Sequence, residues 1–263
     1  MASPADAARG RAQDEVRLID ALPDLARHVA PEQLRTVRSA TRVPVLRLAK
    51  GKLDVGDLAD HGLRPFGAVV VSGLLTRHVD VGGEPGMCLY GPGDVLAASN
   101  LMSGTVPHGD AWYASVPSQL AVLDDRLLVS IRRWPRLVTG LVEALCAQHD
   151  RALLRFVIAV QRRVEDRLLM LFWHLGDRFG RMTPDGIVIP ISLTHEALAR
   201  LVGARRPTIT LALRELHDRD AVVRRADRAW LVKQLPEAEI ALTLSAPSEN
   251  HHPRPLAVID ADA

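Results

Sequence analysis

Arg205, Arg206 and Arg214 stand close together in RRPTITLALREL (residues 205–216), accompanied by the hydroxyls of Thr208 and Thr210. Helical spacing sorts this stretch into two faces. Ile209, Leu213 and Leu216 recur at i, i+4 and i+7 and form an apolar stripe that faces a core. The opposite face presents Arg206, Thr210 and Arg214, with Pro207 and Leu211 alongside. A guanidinium is a permanent cation with several N–H donors in a planar fork. The chemistry on offer is therefore non-covalent recognition of phosphate oxygens or of the acceptor edge of a purine. Arg205 and Thr208, at the rim of the face, suit phosphates.

Covalent and metal chemistry find little support. His78 and His108 are isolated, with neither H-x-H nor HExxH, so a zinc or cupin-type metal site lacks its ligands. His251-His252 reads as a flexible polar pair. Cys88 and Cys146 are the only cysteines and form no CxxC, which argues against a disulfide framework and a four-cysteine iron–sulfur cluster. We expect no enzyme and no cofactor.

The recognition face needs a rigid support. Immediately upstream, LTHEALARLVGA (193–204) reads as a helix with Thr194 as N-cap and Glu196 complementing the dipole. Ala197, Leu198 and Leu201 form its buried stripe, and Gly203 ends it. Pro207 suits the first position of the next helix, where its missing N–H costs nothing. Downstream, AVVRRADRAWLVK (221–233) predicts a hairpin turning at Ala226-Asp227-Arg228, with Arg224 and Arg225 on it as a basic wing. Upstream lie DGIVIPIS (185–192), a short strand pair or edge strand, and VEDRLLMLFWHLGDRFG (164–180), a helix with Gly180 as an αL C-cap.

Charge follows the same division. Residues 161–235 hold 14 Lys and Arg against 9 Asp and Glu, whereas residues 1–160 hold 18 against 17 and residues 236–263 hold 1 against 5. A basic segment thus sits in a near-neutral chain, which points weakly to a polyanion.

The N-terminal half has another texture. Residues 1–16 are small, polar and charged and are expected to be disordered. Arg17–Ser39 carries helical spacing broken by Pro23 and Pro31, predicting two short helices. From 41 to 125, short Val- and Leu-rich runs alternate with Gly, Pro and Asp, the pattern of an antiparallel barrel or sandwich. FGAVVVSGLLTRHVDV (66–81) and LYGPGDVL (89–96) give strands with turns at Gly73, Gly82-Gly83 and GPGD. Between 127 and 162 the pattern turns helical. Trp134, Val138, Leu141, Leu145, Gln148, Ala152, Arg155 and Ala159 alternate by four and three, as in a coiled-coil seam. Either this helix meets a twin, or it lies on its own β-domain.

The segment from Val164 to Lys233 resembles the winged-helix DNA-binding domain of the CRP/FNR superfamily, the bacterial regulators named for the cyclic-AMP receptor protein; LTHEALARLVGARRPTITLALREL carries the motif. The strand and Gly-Asp pattern upstream is similar to that family's cyclic-nucleotide-binding β-roll, and the long helix to its dimerisation helix. The resemblance implies an α+β chain: disordered 1–16, a β-roll over 17–126, a dimerisation helix over 127–162, a winged helix over 163–235 and an acidic flexible tail over 236–263. It implies a cytoplasmic homodimer on pseudo-palindromic double-stranded DNA, with a hinge near Gln161–Val164, RNA polymerase as a further partner and no membrane. Thr194, Arg205, Arg206, Thr208, Thr210, Arg214, Arg224 and Arg225 are then the DNA-binding residues.

Departures limit what carries over. The cyclic-AMP receptor protein has an acidic residue where Pro207 stands and an arginine where Leu211 stands; only Arg206 keeps its counterpart. Cyclic-AMP binders follow the Gly-Asp turn with a Gly-Glu-Leu step and later an Arg-Ser or Arg-Thr pair. Here those places hold Ala97, Ala98 and Ser99, then His108 and Gly109, while Ala152 stands where the long helix reads adenine. Trp112 and Tyr113 either stack on a ligand or fill the core. Cyclic AMP is not expected, and any other effector is left open. The N-terminal cysteines of an FNR-type oxygen sensor are missing. Two rival readings stay: a ligand-binding β-roll protein whose winged helix docks proteins, and a regulator that does respond to a cyclic nucleotide.

Overall fold

The computed structural model describes residues 14–53, 66–97 and 106–234. The chain begins with β1 (Glu15–Arg17), a single helical turn α1 (Leu18–Ala21) and α2 (Leu34–Ala40). The strands β2 (Arg42–Leu48), β3 (Gly51–Leu53), β4 (Gly67–Ser72), β5 (Leu75–Val81) and β6 (Glu84–Tyr90) follow. The roll is completed by β7 (Val95–Ala97), β8 (Gly109–Ala114) and β9 (Ser118–Leu123). These build two antiparallel sheets, ordered β1-β2-β9-β4-β7 and β3-β8-β5-β6.

Strand alternation distributes the side chains. In β4, Ala68 and Val70 join Leu53, Leu75, Leu96, Trp112 and Leu120 in one core, while Val69 packs in another with Leu18, Leu25, Leu127 and Leu137 from the flanking helices. Gly82 and Gly83 turn β5 into β6, leaving Val81 opposite Glu84.

Beyond the roll come α3 (Asp125–Ile131), α4 (Pro135–Ala159) and α5 (Val164–Phe179). The C-terminal unit adds β10 (Arg181–Thr183), β11 (Gly186–Ile189), α6 (His195–Val202), α7 (Arg206–Asp218), β12 (Val222–Arg224) and β13 (Trp230–Val232). Its sheet runs β10-β11-β13-β12. Phe172, Leu198, Ile209, Leu216 and Val232 share its core, which extends onto the roll through Met87 and Leu89 of β6. The architecture is the expected α+β one: roll, long helix and winged helix-turn-helix.

Several local expectations need correction. Glu15 and Val16 are not disordered; they pair with Pro44 and Val43, and Asp14 and Glu15 meet Arg47 and Arg42. A strand partner outweighs polar composition. Residues 1–13 and the tail from 235 lie outside the described residues. The two short helices expected over 17–39 are α1 and α2, and between them Pro23 and Pro31 open 3-10 turns over Pro23–His28 and Pro31–Gln33. The helix over 127–162 is two, since Pro135 lacks the N–H that would continue α3 and starts α4 instead.

Gly180 is extended (φ −81°, ψ 167°), not left-handed. Its small size serves close packing, for a Cβ there would sit 2.3 Å from the Gly176 carbonyl oxygen and 2.5 Å from Ile187. The heptad seam also splits. Trp134, Leu141, Gln148 and Arg155 are half-buried, while Val138, Leu145 and Ala152 are exposed. The seam had merged two faces of one helix, because a four-three pattern does not say which edge meets the protein's own roll.

Gly73 has φ +96°, and a Cβ there would approach Ser118 Oγ to 2.1 Å. Ser118 Oγ accepts from the Leu74 N–H and donates to the Val116 carbonyl, holding the β4–β5 corner. Gly73→Ala should cost about 1–3 kcal/mol, read as a lower urea midpoint at unchanged slope.

Candidate nucleic-acid interface

The reader is assembled from its caps. Thr194 accepts a hydrogen bond from the Ala197 N–H at 3.1 Å, fixing the start of α6. Gly203 closes α6 in the left-handed region (φ 63°, ψ 49°), so the chain turns sharply into α7. Arg205 occupies the N-cap of α7 without a side-chain hydrogen bond, and Pro207 is its second residue rather than its first. The first N–H groups of α7 therefore lack a side-chain cap, and the positive end of the helix dipole lies beside Arg205 and Arg206.

Ile209, Leu213 and Leu216 are buried, as their spacing required. Arg206, Thr208, Thr210 and Arg214 are exposed. Leu211 lies in their midst, 69% exposed. Thr210 Oγ1 donates to the Arg206 carbonyl at 3.2 Å and lies 3.0 Å from His195 Nδ1. Arg214 is held loosely, 3.9 Å from Asp218. A groove of about 900 Å³ runs between α7 and the wing, with Thr194, Arg206, Thr210, Arg214 and Arg224 on its walls.

The two wing arginines differ. Arg225 lies exposed beside Asp227 at 3.3 Å, near the hairpin tip. Arg224 is exposed too, but engaged: its guanidinium stacks on Trp230 at 4.3 Å and donates to the Leu193 carbonyl at 2.9 Å. These contacts tie the wing to the segment before α6 and leave Arg224 exposed on the groove wall. Alternation along a hairpin could not reveal a backbone carbonyl 31 residues upstream.

Other contributors were missed. Arg228 takes a positive φ of 65° at the turn and is exposed. Arg167 donates to Gln161 O at 2.7 Å and reaches the Val202 and Gly203 carbonyls at 3.4 and 3.3 Å. One cation thus ties the α4–α5 joint to the C-terminus of α6, where the helix dipole favours positive charge. Only its basic character was visible in the sequence.

Residues 162–237 match the sequence model of the Crp-like helix-turn-helix domain. The C-terminal segment is thus a Crp-like helix-turn-helix domain. A global nitrogen regulator of Synechococcus elongatus is 26% identical over 148 residues, 55% of this chain and 66% of that protein, so the match spans just under two thirds of the relative. A CooA variant from Carboxydothermus hydrogenoformans superposes with a TM-score of 0.59 at 17% identity, over 76% of this chain and 87% of that one. A cyclic nucleotide-binding domain containing protein from Listeria monocytogenes gives 0.61 at 16% identity, over 81% and 98%. These structures share the fold of this chain from roll to reader.

The residues aligned with a CRP/FNR effector site fall on both sheets of the roll and on α4. Ala97 pairs with Gly67 in one sheet, and Gly109 and Trp112 pair with β5 in the other. Ala98 and Ser99 lie outside the described residues. His108 Nδ1 is 3.1 Å from the Val106 carbonyl. Trp112 is core, 4.8 Å from the Tyr90 ring and beneath Arg77 at 5.1 Å, while Arg77 pairs with Asp110 at 2.6 Å. Ala152 alone among them lines a described cavity. Among the described residues no cluster of His, Cys, Asp and Glu could hold a metal.

A second feature of this chain connects its halves. Asp94 of the GPGD turn is 1% exposed. It accepts from the Gly91 N–H at 2.8 Å, from Arg151 of α4 at 2.9 Å and from Arg178 of α5. Nearby, Gln148 clasps Val95 through both its N–H and its carbonyl, at 2.8 and 3.0 Å. Across the same joint, Arg200 of α6 reaches His78 Nδ1 of β5 at 3.1 Å. Burial, and then the Arg200 charge, hold His78 below the usual histidine range.

His174 of α5 is pushed down to about 4, by burial first and then by Arg155, Arg178 and Arg151. The unfolded chain therefore binds more protons than the native one between about pH 4 and the ordinary histidine value near 6.5. Stability should be full above that window and fall as pH drops through it. His174→Gln should flatten the pH 6.5-to-5 limb of a urea-denaturation series; an unchanged limb would contradict the buried neutral imidazole.

Proposed function

We propose that the protein is a homodimeric, sequence-specific DNA-binding transcription regulator. The observation that carries this is the two-sided α7: Ile209, Leu213 and Leu216 anchor it, while Arg206, Thr210 and Arg214 project into solvent beside an uncapped helix start. Such a helix enters a major groove, where Arg206 meets guanine O6 and N7, and Leu211 offers its methyls to thymine. Arg205, Thr208, Thr194 and the exposed wing residues Arg225 and Arg228 suit the flanking phosphates. Arg224, exposed on the groove wall, suits a phosphate as well while holding the wing to Leu193.

The dimer rests on α4. Val138, Val142, Phe156 and Val157 of α4 are each about half exposed or more. An apolar stripe of this length on a helix of 25 residues is satisfied by a twin. Two readers would then meet half-sites about one helical turn apart. DNA places the protein in the cytoplasm, with RNA polymerase the natural further partner of a bound regulator. No described helix is long and apolar enough to cross a membrane. The altered effector region is supported by the packing of Trp112, Tyr90 and Arg77 inside the roll, which argues against a cyclic-AMP site there.

Selection of bound fragments from genomic DNA supplies the operator. On that operator, Arg206→Ala should weaken binding by about 1–3 kcal/mol and relax preference at one base pair. Wild-type affinity should also fall steeply with salt. A winged helix that docks proteins would show neither effect. Phe156→Glu should convert the dimer to monomer in light scattering coupled to gel filtration; a dimer surviving both this change and Val142→Glu would place the interface elsewhere.

A further inference from the structure

A cavity of about 250 Å³ lies where the GPGD turn, α4 and α5 meet. Three guanidiniums line it, Arg151 and Arg155 from α4 and Arg178 from α5, with His149 and His174 beside them. Its one lining carboxylate, Asp94, is already shared by Arg151, Arg178 and the Gly91 N–H. The other acid felt by His174 is Asp177 of its own helix.

The cations are incompletely satisfied. Arg151 Nε is buried without a hydrogen-bond partner. Arg155 Nη2 rests on Cys88 Sγ at 3.1 Å, and a thiol is a weak acceptor. Guanidiniums do not neutralise themselves by losing a proton, so buried ones call for anionic oxygen. The field that, together with burial, keeps a proton off His174 draws an anion to the same place.

We infer that this junction cavity binds a small oxyanion carrying two negative charges, held between Arg151, Arg155 and Arg178. The planar fork of arginine matches carboxylate and phosphate oxygens alike. The volume is below the roughly 300–1,000 Å³ of drug-sized pockets, which selects a small metabolite rather than a nucleotide. An anion on Arg178 competes with Asp94, the tie between the roll and α5. On the DNA-reading role proposed above, on which this one consequence rests, occupancy changes how firmly the reader is held.

The test is calorimetric titration of the full chain with inorganic phosphate and with succinate, against sodium chloride at equal ionic strength. Saturable binding of one dianion is expected, at least tenfold weaker in Arg155→Gln and in Ala152→Glu, which sets a carboxylate at the cavity wall from an exposed helix position. Phosphate binding points to a phosphorylated metabolite and succinate binding to a dicarboxylate. Circular dichroism checks that each variant folds, and NMR titration of wild-type His174 gives a readout free of mutation: its proton affinity should rise when the dianion is bound. No saturable binding by either dianion overturns the inference, as does equal binding by wild type and folded variants. Dianion binding by a protein that ignores DNA would overturn the function proposed above and leave this site standing.

Discussion

A carboxylate at 1% exposure, shared by arginines from two different helices, is the constraint on which the rest of this molecule turns. Asp94 belongs to the β-roll, Arg151 to the long helix and Arg178 to the helix that opens the reader. Removing any one leaves a buried charge short of a partner, a state far more costly than the net worth of the ion pair. The three elements are thereby held in one arrangement. Gln148 on Val95 and Arg200 on His78 support the same joint from either side.

The joint decides how α7 is offered. Met87 and Leu89 of the roll lie in the same apolar core as Leu198, Ile209 and Leu216, so the reader packs on the roll through its oily side. Its polar side is left free by that packing. Arg167, spanning Gln161 and the α6–α7 turn, makes the reader's orientation answer to the end of α4. Such a chain of contacts can transmit a change at the roll only if the joint has a second arrangement of comparable free energy. The excess of guanidiniums around Asp94 is where one anion more or less would bias that choice.

The reader was legible because its signals are local. Thr194 caps within its own helix, Gly203 supplies the left-handed turn, and the i, i+4, i+7 stripe buries as its spacing demands. The hairpin at Ala226-Asp227-Arg228 follows from turn chemistry in the same way. Expectations failed where a distant partner intervened. Glu15 found β2, and Gly180 was needed for Ile187 rather than for its φ.

The chain by itself determined the order of strands and helices, the two faces of α7 and the basic bias of the C-terminal third. These depend on spacing and on turn residues within a few positions of one another. Tertiary structure alone decided which edge of α4 turns to the roll and which stays free. It also decided that Asp94 meets arginines 57 and 84 residues away. The reason is physical: periodicity defines a helix face but not its neighbour, and a buried charge takes whatever counter-charge the packed backbone brings within reach.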